Sequence, residues 1–412
     1  MIRFGGDTTD WTWWPTRGIV KPGGIRYTLD RRWVEVARAT ARALDARLIL
    51  GINFEADRRA IAATEATSLL NGIGHRYIAG FEPGNEPEVY GTLGWYTTPA
   101  GVSVPGRPAS YRFDSYLRDY ASVIAALPRD VPLVGPASGS PVWLAGLGRY
   151  LTDNPRVRLV SFHRYPLHRC FTPRDAPTYP TISNLLSPLA SSGLATSLRS
   201  AVAVATARGV PFRADELNSV SCGGAHGVSD TFASALWILD TLFNMDRVGV
   251  DGVNIHTFQS ATYEPFAFSR SGGQWRAQVK PMYYGLLMFA RAAPPGSRLL
   301  PTSFSGGANM LRSWATRGLD GQIRIVLIND SRQNAVTVAV RAPGSARAAI
   351  VQRLRAPGIR ATRGVTLNGQ TFGQTTTTGA LDGRTHSVVL ASVRDRYVVR
   401  LASASAVLLT LS

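Results

Sequence analysis

The sequence predicts a two-part α/β protein: a (β/α)8-type TIM barrel followed by a C-terminal antiparallel β-sandwich domain. Over roughly the first 292 residues, short apolar runs alternate with segments of helical period, which is typical of parallel strands and crossover helices. These units continue for almost 300 residues, which favours a closed barrel over an open sheet. Helical periodicity then stops and alternating strands follow. We therefore expect the barrel at 1–292 and the sandwich at 293–412.

The predicted barrel strands are rich in β-branched and aromatic residues and are bounded by Gly, Pro or Asn, as buried parallel strands are. Only seven such units are visible where a (β/α)8 barrel needs eight. The runs are 2–6, 48–53, 77–86, 132–139, 158–166, 211–219 and 252–260.

Two intervening segments illustrate the predicted helices. One carries apolar residues on a single face behind a candidate N-cap at Asp30, and the other does so behind Ser229. In the last third of the chain, turn residues separate alternating segments, which predicts a sandwich. These segments are 323–328, 336–340, 387–393, 397–401 and 407–411.

Composition excludes several classes of protein. With 45% hydrophobic and 17% charged residues, the chain is globular and not disordered, collagenous or coiled-coil. No stretch suits a membrane span, and no signal peptide opens the chain. The formal charge of +18 favours acidic partners. All but two of the 45 basic residues are arginines scattered along the chain, and no nucleic-acid-binding motif accompanies them, so we do not expect nucleic acid as the partner.

Two glutamates at predicted strand ends point to chemistry. Glu86 follows Gly84 and Asn85 after the third strand, and Glu216 ends the sixth. Two carboxyl groups across a barrel mouth are the minimum set for cleaving a glycosidic bond, one protonated to assist the leaving group and one ionised. Strand-end acids can also cap the following helices, but the pair together favours catalysis.

These motifs resemble glycoside hydrolase family 79, the β-glucuronidases and heparanase, within the retaining clan of (β/α)8 hydrolases. The resemblance rests on Arg-Phe-Gly-Gly at 3–6 with Thr-Asp at 9–10, Gly-Asn-Glu-Pro at 84–87, Phe-His-Arg-Tyr at 162–165, and a long match over 216–233. It covers essentially the whole chain. It implies a retaining glycosidase that releases terminal β-glucuronic acid from glycans or glycoconjugates without a metal or other cofactor.

The resemblance assigns roles residue by residue. Glu86 is expected to be the acid/base, Glu216 the nucleophile, and Asn85 a donor to the sugar 2-hydroxyl. Tyr165 is expected to orient Glu216, with core packing as the alternative. His256 is read as a hydrogen-bonded pocket wall.

Further positions match the family's site for the substrate carboxylate. Gly223 and Gly224 lie on the loop that follows the nucleophile, and Tyr263 falls on the family's carboxylate-binding tyrosine. Side-chain-free N–H groups can approach a carboxylate closely, although an ordinary turn and a packing aromatic are the alternatives. The indoles of Trp11, Trp13 and Trp14 offer either sugar-stacking surface or packing.

The two cysteines, Cys170 and Cys222, follow neighbouring strand ends. A disulfide is the first choice, ahead of a zinc site with His168 and His226 and of free thiols.

The family resemblance also predicts a missing barrel strand and the location of the protein, and it leaves alternative functions open. In the family, the Arg-Phe-Gly-Gly strand is the second of the barrel, so we expect that this chain lacks strand one and is either a misassigned start or a poorly stable fragment. The resemblance implies secretion. The alternatives are a retaining exo-glycosidase acting on a neutral sugar and an inactive carbohydrate-binding scaffold; the oligomeric state is not predicted.

Overall fold

The structure is a computed structural model that describes residues 1–305, 310–342 and 348–411. It divides into two compact units. The first comprises Met1–Arg164, Ser197–Leu217 and Gly249–Ile255; the second comprises Tyr165–Thr196, Asn218–Val248 and His256–Ser412. The predicted domain boundary at 292/293 stays a prediction.

A seven-stranded, all-parallel sheet forms the first unit, and its strands follow one another in chain order. Its middle strands are buried along nearly their whole length, as expected of a sheet covered on both faces. The strands are β1 (Ile2–Phe4), β2 (Leu48–Ile52), β3 (Ile78–Pro83), β4 (Leu133–Ser138), β5 (Val157–Arg164), β6 (Phe212–Leu217) and β7 (Gly252–Ile255).

The two outer strands of this sheet approach each other. The side-chain amide of Asn254, on β7, donates to the backbone carbonyl of Met1 at 3.2 Å. Seven parallel strands, nearly closed, confirm the predicted TIM-barrel class and the count of seven visible units.

Crossover helices of the first unit lie between these strands. The Asp30 carboxylate accepts from the Trp33 backbone N–H at 2.8 Å, so the predicted N-cap is confirmed. The helices of seven residues or more are α1 (Arg31–Ala43), α2 (Arg59–Ile73), α3 (Phe113–Ile124), α4 (Leu147–Asp153) and α5 (Arg199–Thr206).

The second unit contains α6 (Phe232–Arg247), α7 (Pro281–Ala292) and a hairpin of β8 (Phe266–Ser271) and β9 (Gln274–Val279). The N-cap of α6 is Thr231, so the expectation of a cap at Ser229 is wrong. The Ser229 hydroxyl instead accepts from the Ala225 backbone N–H and from the Ser219 hydroxyl.

Antiparallel sheets make up the C-terminal part of the second unit, and they confirm the predicted sandwich. A larger sheet and a two-stranded sheet (β13 with β16) share one apolar core, to which Leu327, Leu409 and Val399 contribute. The sandwich strands are β10 (Arg298–Leu300), β11 (Leu311–Arg317), β12 (Ile323–Asn329), β13 (Val336–Val340), β14 (Ala348–Arg355), β15 (Val388–Ala391), β16 (Tyr397–Leu401) and β17 (Ser405–Leu411).

Across the described ranges, no helix combines the length and apolar character needed to cross a membrane.

Candidate active site

Glu86 lies in a tight loop directly after β3. Gly84 has φ +83° and Glu86 itself φ +46°, a left-handed conformation that non-glycine residues seldom adopt. The Glu86 backbone N–H donates to the Ala137 carbonyl at 2.8 Å, which fixes the loop to the end of β4. About a third of the Glu86 side chain is exposed (32%). A strained, anchored backbone thus presents a carboxyl group at the carboxyl end of the parallel sheet.

Glu216 lies on β6, where the strand register is irregular. The pairing of β6 with both β5 and β7 shifts between residues 213 and 217. In a regular strand, Asp215 and Glu216 would point to opposite faces. Here both carboxyl groups contact the guanidinium of Arg3, and the irregularity accounts for this arrangement.

The two predicted catalytic carboxyl groups lie close together. One side-chain oxygen of Glu86, one of Glu216 and a ring nitrogen of His163 are all within 4.8 Å of one another. His163 Nδ1 lies 2.9 Å from Glu86 Oε1 and 3.9 Å from Glu216 Oε2. The nearest oxygens of Glu86 and Glu216 are thus closer than the about 5–5.5 Å between the carboxyl groups of retaining glycosidases, and much closer than the about 6.5–9.5 Å in inverting enzymes.

Arg3 is the main cation of this cluster. Its Nε lies 2.5 Å from Glu82 Oε2, its Nη1 lies 2.9 Å from Glu216 Oε2, and its Nη2 donates to Asn85 Oδ1 at 3.0 Å. Along β1 the neighbouring side chain of Phe4 packs against Trp33 of α1, so Arg3 takes the opposite, inward face. A Cβ on Gly5 would lie 2.7 Å from the Arg3 guanidinium carbon, so this position favours glycine.

Burial and charge shift several protonation equilibria here. Burial alone would lower the pKa of His163, but Glu216 and the other nearby carboxylates raise it to about 10. Burial and the negative charge of Glu82 raise the pKa of Asp215 to about 8. The pKa of Glu82 is lowered although burial opposes this, because Arg3 stabilises its charge. His163 is therefore a cation at neutral pH, beside Glu86.

Asn85 is held by two aspartates from the segment after β1. Its side-chain amide donates to Asp7 Oδ1 at 3.0 Å, and its backbone N–H donates to Asp10 Oδ2 at 3.1 Å. Asp10 also accepts from the Tyr90 hydroxyl at 2.6 Å and from the Phe54 and Glu55 backbone N–H groups. Burial and the charge of Glu86 raise the pKa of Asp7 to about 6.

The residues predicted to bind the substrate carboxylate lie in the second unit. Gly223 and Gly224 both have positive φ, +84° and +90°, which favours glycine. In the described part of the chain, no acceptor is found for either of their N–H groups. The Gly223 carbonyl accepts from the Thr262 backbone N–H at 2.7 Å, which holds this loop beside Tyr263.

Two tyrosine hydroxyls converge on His256 in the same unit. The Tyr165 hydroxyl lies 2.6 Å from His256 Nδ1, and the Tyr263 hydroxyl lies 2.9 Å from the same atom. His256 is thus hydrogen-bonded, as predicted, and its place in a pocket wall stays a prediction. The expected roles of Tyr165 towards Glu216 and of Tyr263 towards substrate stay predictions.

Cys170 and Cys222 form a disulfide, the first choice among the three predicted arrangements. Both sulfurs are therefore engaged and are not thiolate zinc ligands. The neighbouring Arg169 Nη1 donates to the Gly224 carbonyl at 3.2 Å, so the disulfide-linked segment also contacts the glycine loop.

The three tryptophans differ in their surroundings. Trp13 is buried with Ile25, Ile61 and Trp95, which favours packing for this indole. Trp11 is half-buried beneath the guanidinium of Arg26, whose carbon lies 3.7 Å from the ring centroid. Trp14 is half-buried. A stacking role for Trp11 and Trp14 stays a prediction.

Carboxylate and imidazole groups in close array are also typical metal ligands. Glu86, His163 and Glu216 form such a group in the described part of the chain. However, the Arg3 guanidinium contacts Glu216 at 2.9 Å, and His163 is itself cationic, so two positive charges already oppose a metal ion there.

The sequence-based prediction omitted several residues of this cluster. Arg3 and His163 appeared only as parts of motifs, and Asp7, Glu82 and Asp215 received no role. A signal was available: charged residues within otherwise apolar strands are costly to bury without a function or a partner.

A comparison with protein-family models identifies the C-terminal part of the chain. Residues 313–408 match the model described as the glycosyl hydrolase family 79 C-terminal beta domain. This match confirms the predicted resemblance to the family over the C-terminal part of the chain. A search of curated proteins yields no match.

Solved structures share the fold over the full chain. A 4-O-α-L-rhamnosyl-β-D-glucuronidase from Fusarium oxysporum aligns with a TM-score of 0.73 and 20% identity, covering 100% of this chain and 88% of that one. The GH51 arabinofuranosidase of Xanthomonas axonopodis gives 0.66 and 16%, covering 100% and 87%. The family 44 endoglucanase Cel44A of Clostridium thermocellum gives 0.63 and 12%, covering 100% and 93%. At these identities the likeness concerns the fold.

Proposed function

We propose that this chain is a retaining β-glucuronidase that removes terminal β-linked glucuronic acid from glycans or glycoconjugates. The observation that carries the proposal is the close approach of Glu86 and Glu216, whose oxygens lie within 4.8 Å of each other at strand ends far apart in the chain. A separation this short suits direct attack by one carboxylate on the sugar and leaves too little room for the water that inversion requires.

The reaction then proceeds in two displacements. Glu216 attacks the anomeric carbon while Glu86 gives its proton to the glycosidic oxygen, so the aglycone leaves as an alcohol and a glycosyl–enzyme ester forms. Glu86, now a carboxylate, takes a proton from water, and the resulting hydroxide displaces Glu216. Arg3 stabilises the Glu216 carboxylate before attack and after release, because it donates to Oε2 at 2.9 Å.

His163 suits the second half of this cycle. Its ring nitrogen lies 2.9 Å from Glu86 Oε1, and it is a cation at neutral pH. A cation beside Glu86 stabilises the ionised form that must activate water. Asn85 is proposed to donate to the sugar 2-hydroxyl; its amide is oriented by Asp7.

A uronic substrate is supported by the glycine loop and by the comparisons. Gly223 and Gly224 both have positive φ, and the backbone N–H groups of two such adjacent residues can form an anion-binding concavity. Tyr263, buried and hydrogen-bonded to His256, is proposed to donate to the same carboxylate. One solved structure with the same fold is named a glucuronidase and carries Rha-GlcA.

A panel of aryl glycosides tests this function. We expect turnover of the β-glucuronide with retention of anomeric configuration, and loss of turnover in Glu216→Gln. Tyr263→Phe should reduce kcat/KM on the glucuronide by about 10-fold or more, because a bond to a charged group contributes about 1.5–3 kcal/mol. The matching glucoside should be much less affected. Equal losses on both substrates would instead favour a neutral-sugar glycosidase.

We further propose action outside the cytoplasm on acidic glycans. The Cys170–Cys222 disulfide is the kind of cross-link that persists in oxidising compartments. The excess of 18 positive charges would attract anionic polysaccharide, an effect that salt should screen.

A further inference from the structure

Asp215 is a buried carboxyl group that lacks a hydrogen-bond donor. Its side chain has no exposed surface, and among the described residues neither oxygen accepts a hydrogen bond. Its Oδ2 lies 3.0 Å from Arg3 Nε, but the Nε–H is directed at Glu82 Oε2, 2.5 Å away. An ionised carboxylate in this position would carry the full cost of desolvation.

Glu82 is a second buried carboxyl group with an oxygen that accepts no hydrogen bond within the described part of the chain. Its side chain is also fully buried, and its Oε1 has no hydrogen-bond partner in the described ranges. Both carboxyl groups contact the same atom, Arg3 Nε, at 2.5 Å from Glu82 Oε2 and 3.0 Å from Asp215 Oδ2, so the two side chains lie side by side. Two carboxyl groups this close form a hydrogen bond only when one of them holds a proton, because an ionised pair has no donor.

The charges around Glu82 and Asp215 also favour one protonated and one ionised carboxyl group. Arg3 contacts three carboxyl groups, those of Glu82, Asp215 and Glu216, and supplies one positive charge. When either Glu82 or Asp215 is protonated, it attracts the Arg3 guanidinium less, and the attraction between Arg3 and Glu216 is opposed less strongly. Two further cations face the pair, the imidazolium of His163, with Nε2 3.7 Å from Asp215 Oδ1, and the guanidinium of Arg213. They oppose protonation, but burial and the Glu82 charge still raise the pKa of Asp215. The Ser161 hydroxyl and the Tyr120 phenol also face the pair.

We propose that Glu82 and Asp215 share a single proton beneath the nucleophile, and that this shared proton keeps Arg3 directed at Glu216. Asp215 is then the donor, with its O–H bonded to a Glu82 oxygen, and both act as positioning residues. When the shared proton leaves to solvent base, the pair gains a negative charge, draws Arg3 towards itself and weakens the contact with Glu216. Burial and the Glu82 charge raise the pKa of Asp215 to about 8, which places this loss in mildly alkaline solution.

Infrared difference spectroscopy tests the proton without reference to catalysis. At pH 7 the wild-type protein should show the C=O stretch of a protonated carboxylic acid, and Asp215→Asn and Glu82→Gln should each lose it. Glu55 and Glu65, with pKa values raised by burial to about 9 and about 8, should give bands that persist in every variant. Asp175→Asn, at an exposed position, is the matched control. A spectrum in which both amide variants keep every wild-type acid band would overturn the proposal.

Activity gives the second measurement, and it rests on the proposed glucuronidase function. Wild-type kcat/KM should fall above about pH 8. Asp215→Asn, whose amide replaces the donor permanently, should lack this alkaline fall while losing at most about 10-fold at pH 6, and Asp215→Ala should lose at least about 100-fold. An unaltered alkaline limb in Asp215→Asn would overturn the link to Glu216. If the wild type hydrolyses no glucuronide, the proposed function is wrong. The infrared spectra still show whether Glu82 and Asp215 share a proton.

Discussion

The Nη1 atom of Arg3 lies 2.9 Å from Oε2 of Glu216, a residue 213 positions later in the chain. The first strand of the sheet therefore supplies the cation for a carboxylate on the sixth. The same guanidinium donates to Glu82 and Asn85, so one side chain ties together three strand ends of the candidate site. Such a fork of donors is a geometry that lysine does not reproduce.

Arg3→Lys is accordingly expected to lower kcat on an aryl glucuronide by about 100-fold or more, because an ammonium group lacks the planar fork whose three nitrogens reach Glu82, Asn85 and Glu216. Steady-state kinetics, with circular dichroism to check the fold, would measure this. Arg17→Lys is a suitable control, since Arg17 is exposed. An Arg3→Lys enzyme with wild-type kcat would show that Glu216 does not depend on this contact.

Replacing Asp10 should lower the free energy of unfolding. Replacing it with alanine removes the acceptor of three backbone N–H groups and of the Tyr90 hydroxyl, so we expect a loss of about 3–5 kcal/mol in unfolding free energy. Tyr90→Phe removes one of these bonds and the bond that the Tyr90 hydroxyl accepts from the Asn85 backbone N–H, so it should cost only about 1–2 kcal/mol. Urea denaturation measures both. Similar small losses in the two variants would contradict the anchoring role assigned to Asp10.

The Cys170–Cys222 disulfide joins residues 52 positions apart. On the chain-entropy model, opening a loop of this size costs about 4 kcal/mol of unfolding free energy. The double variant Cys170→Ser/Cys222→Ser should therefore melt at a lower temperature, and a reducing agent should lower the melting temperature of wild type but not of the variant. The KM for the glucuronide should also rise if the adjacent glycine loop binds its carboxylate. A wild-type melting temperature insensitive to reduction would argue against a stabilising cross-link.

Stability should fall as pH rises from about 5 to about 9. Burial raises the pKa values of Glu55, Glu65 and Asp215 to about 9, about 8 and about 8, far above those of unfolded carboxyl groups. Over that interval the folded protein therefore binds more protons than the unfolded chain, and its stability decreases with pH. His163, with its pKa raised to about 10, acts in the same direction above pH 6.5.

Thermal melts across this range should show a decrease of several degrees. Glu65→Gln is the informative variant, because Glu65 accepts from the Asn53 backbone N–H through one oxygen and leaves the other without a partner. Its melting temperature should depend less steeply on pH than that of wild type. A melting temperature that rises towards pH 9 would contradict the predicted protonation of these groups.

The sequence contains enough to predict the barrel, the sandwich and the position of the two glutamates, because each depends on local patterns. Apolar runs between Gly and Pro mark the strands, and Gly-Asn-Glu-Pro marks the loop that presents Glu86. The partners of these residues depend on contacts between distant strands. Nothing near Arg3 in the chain indicates that it will meet Glu82, Asp215 and Glu216.

Irregular geometry is the second reason why part of the site escapes prediction. Strict alternation along β6 would place Asp215 and Glu216 on opposite faces, and only the register shift brings both to Arg3. The helix α6 illustrates a related difficulty. Its sequence suggested one apolar face, yet 13 of its 16 residues are buried, because neighbouring elements cover it on several sides.

The left-handed backbone of Glu86 has a practical consequence for protein engineering. A β-branched or bulky side chain at this position would distort the loop as well as remove the carboxyl group, so inactivity in such a variant could not be attributed to chemistry alone. Glycine accepts this conformation freely and leaves space beside His163. Glu86→Gly is therefore the preferred variant for restoring turnover with a small external anion such as azide, which could attack the sugar from the vacated side.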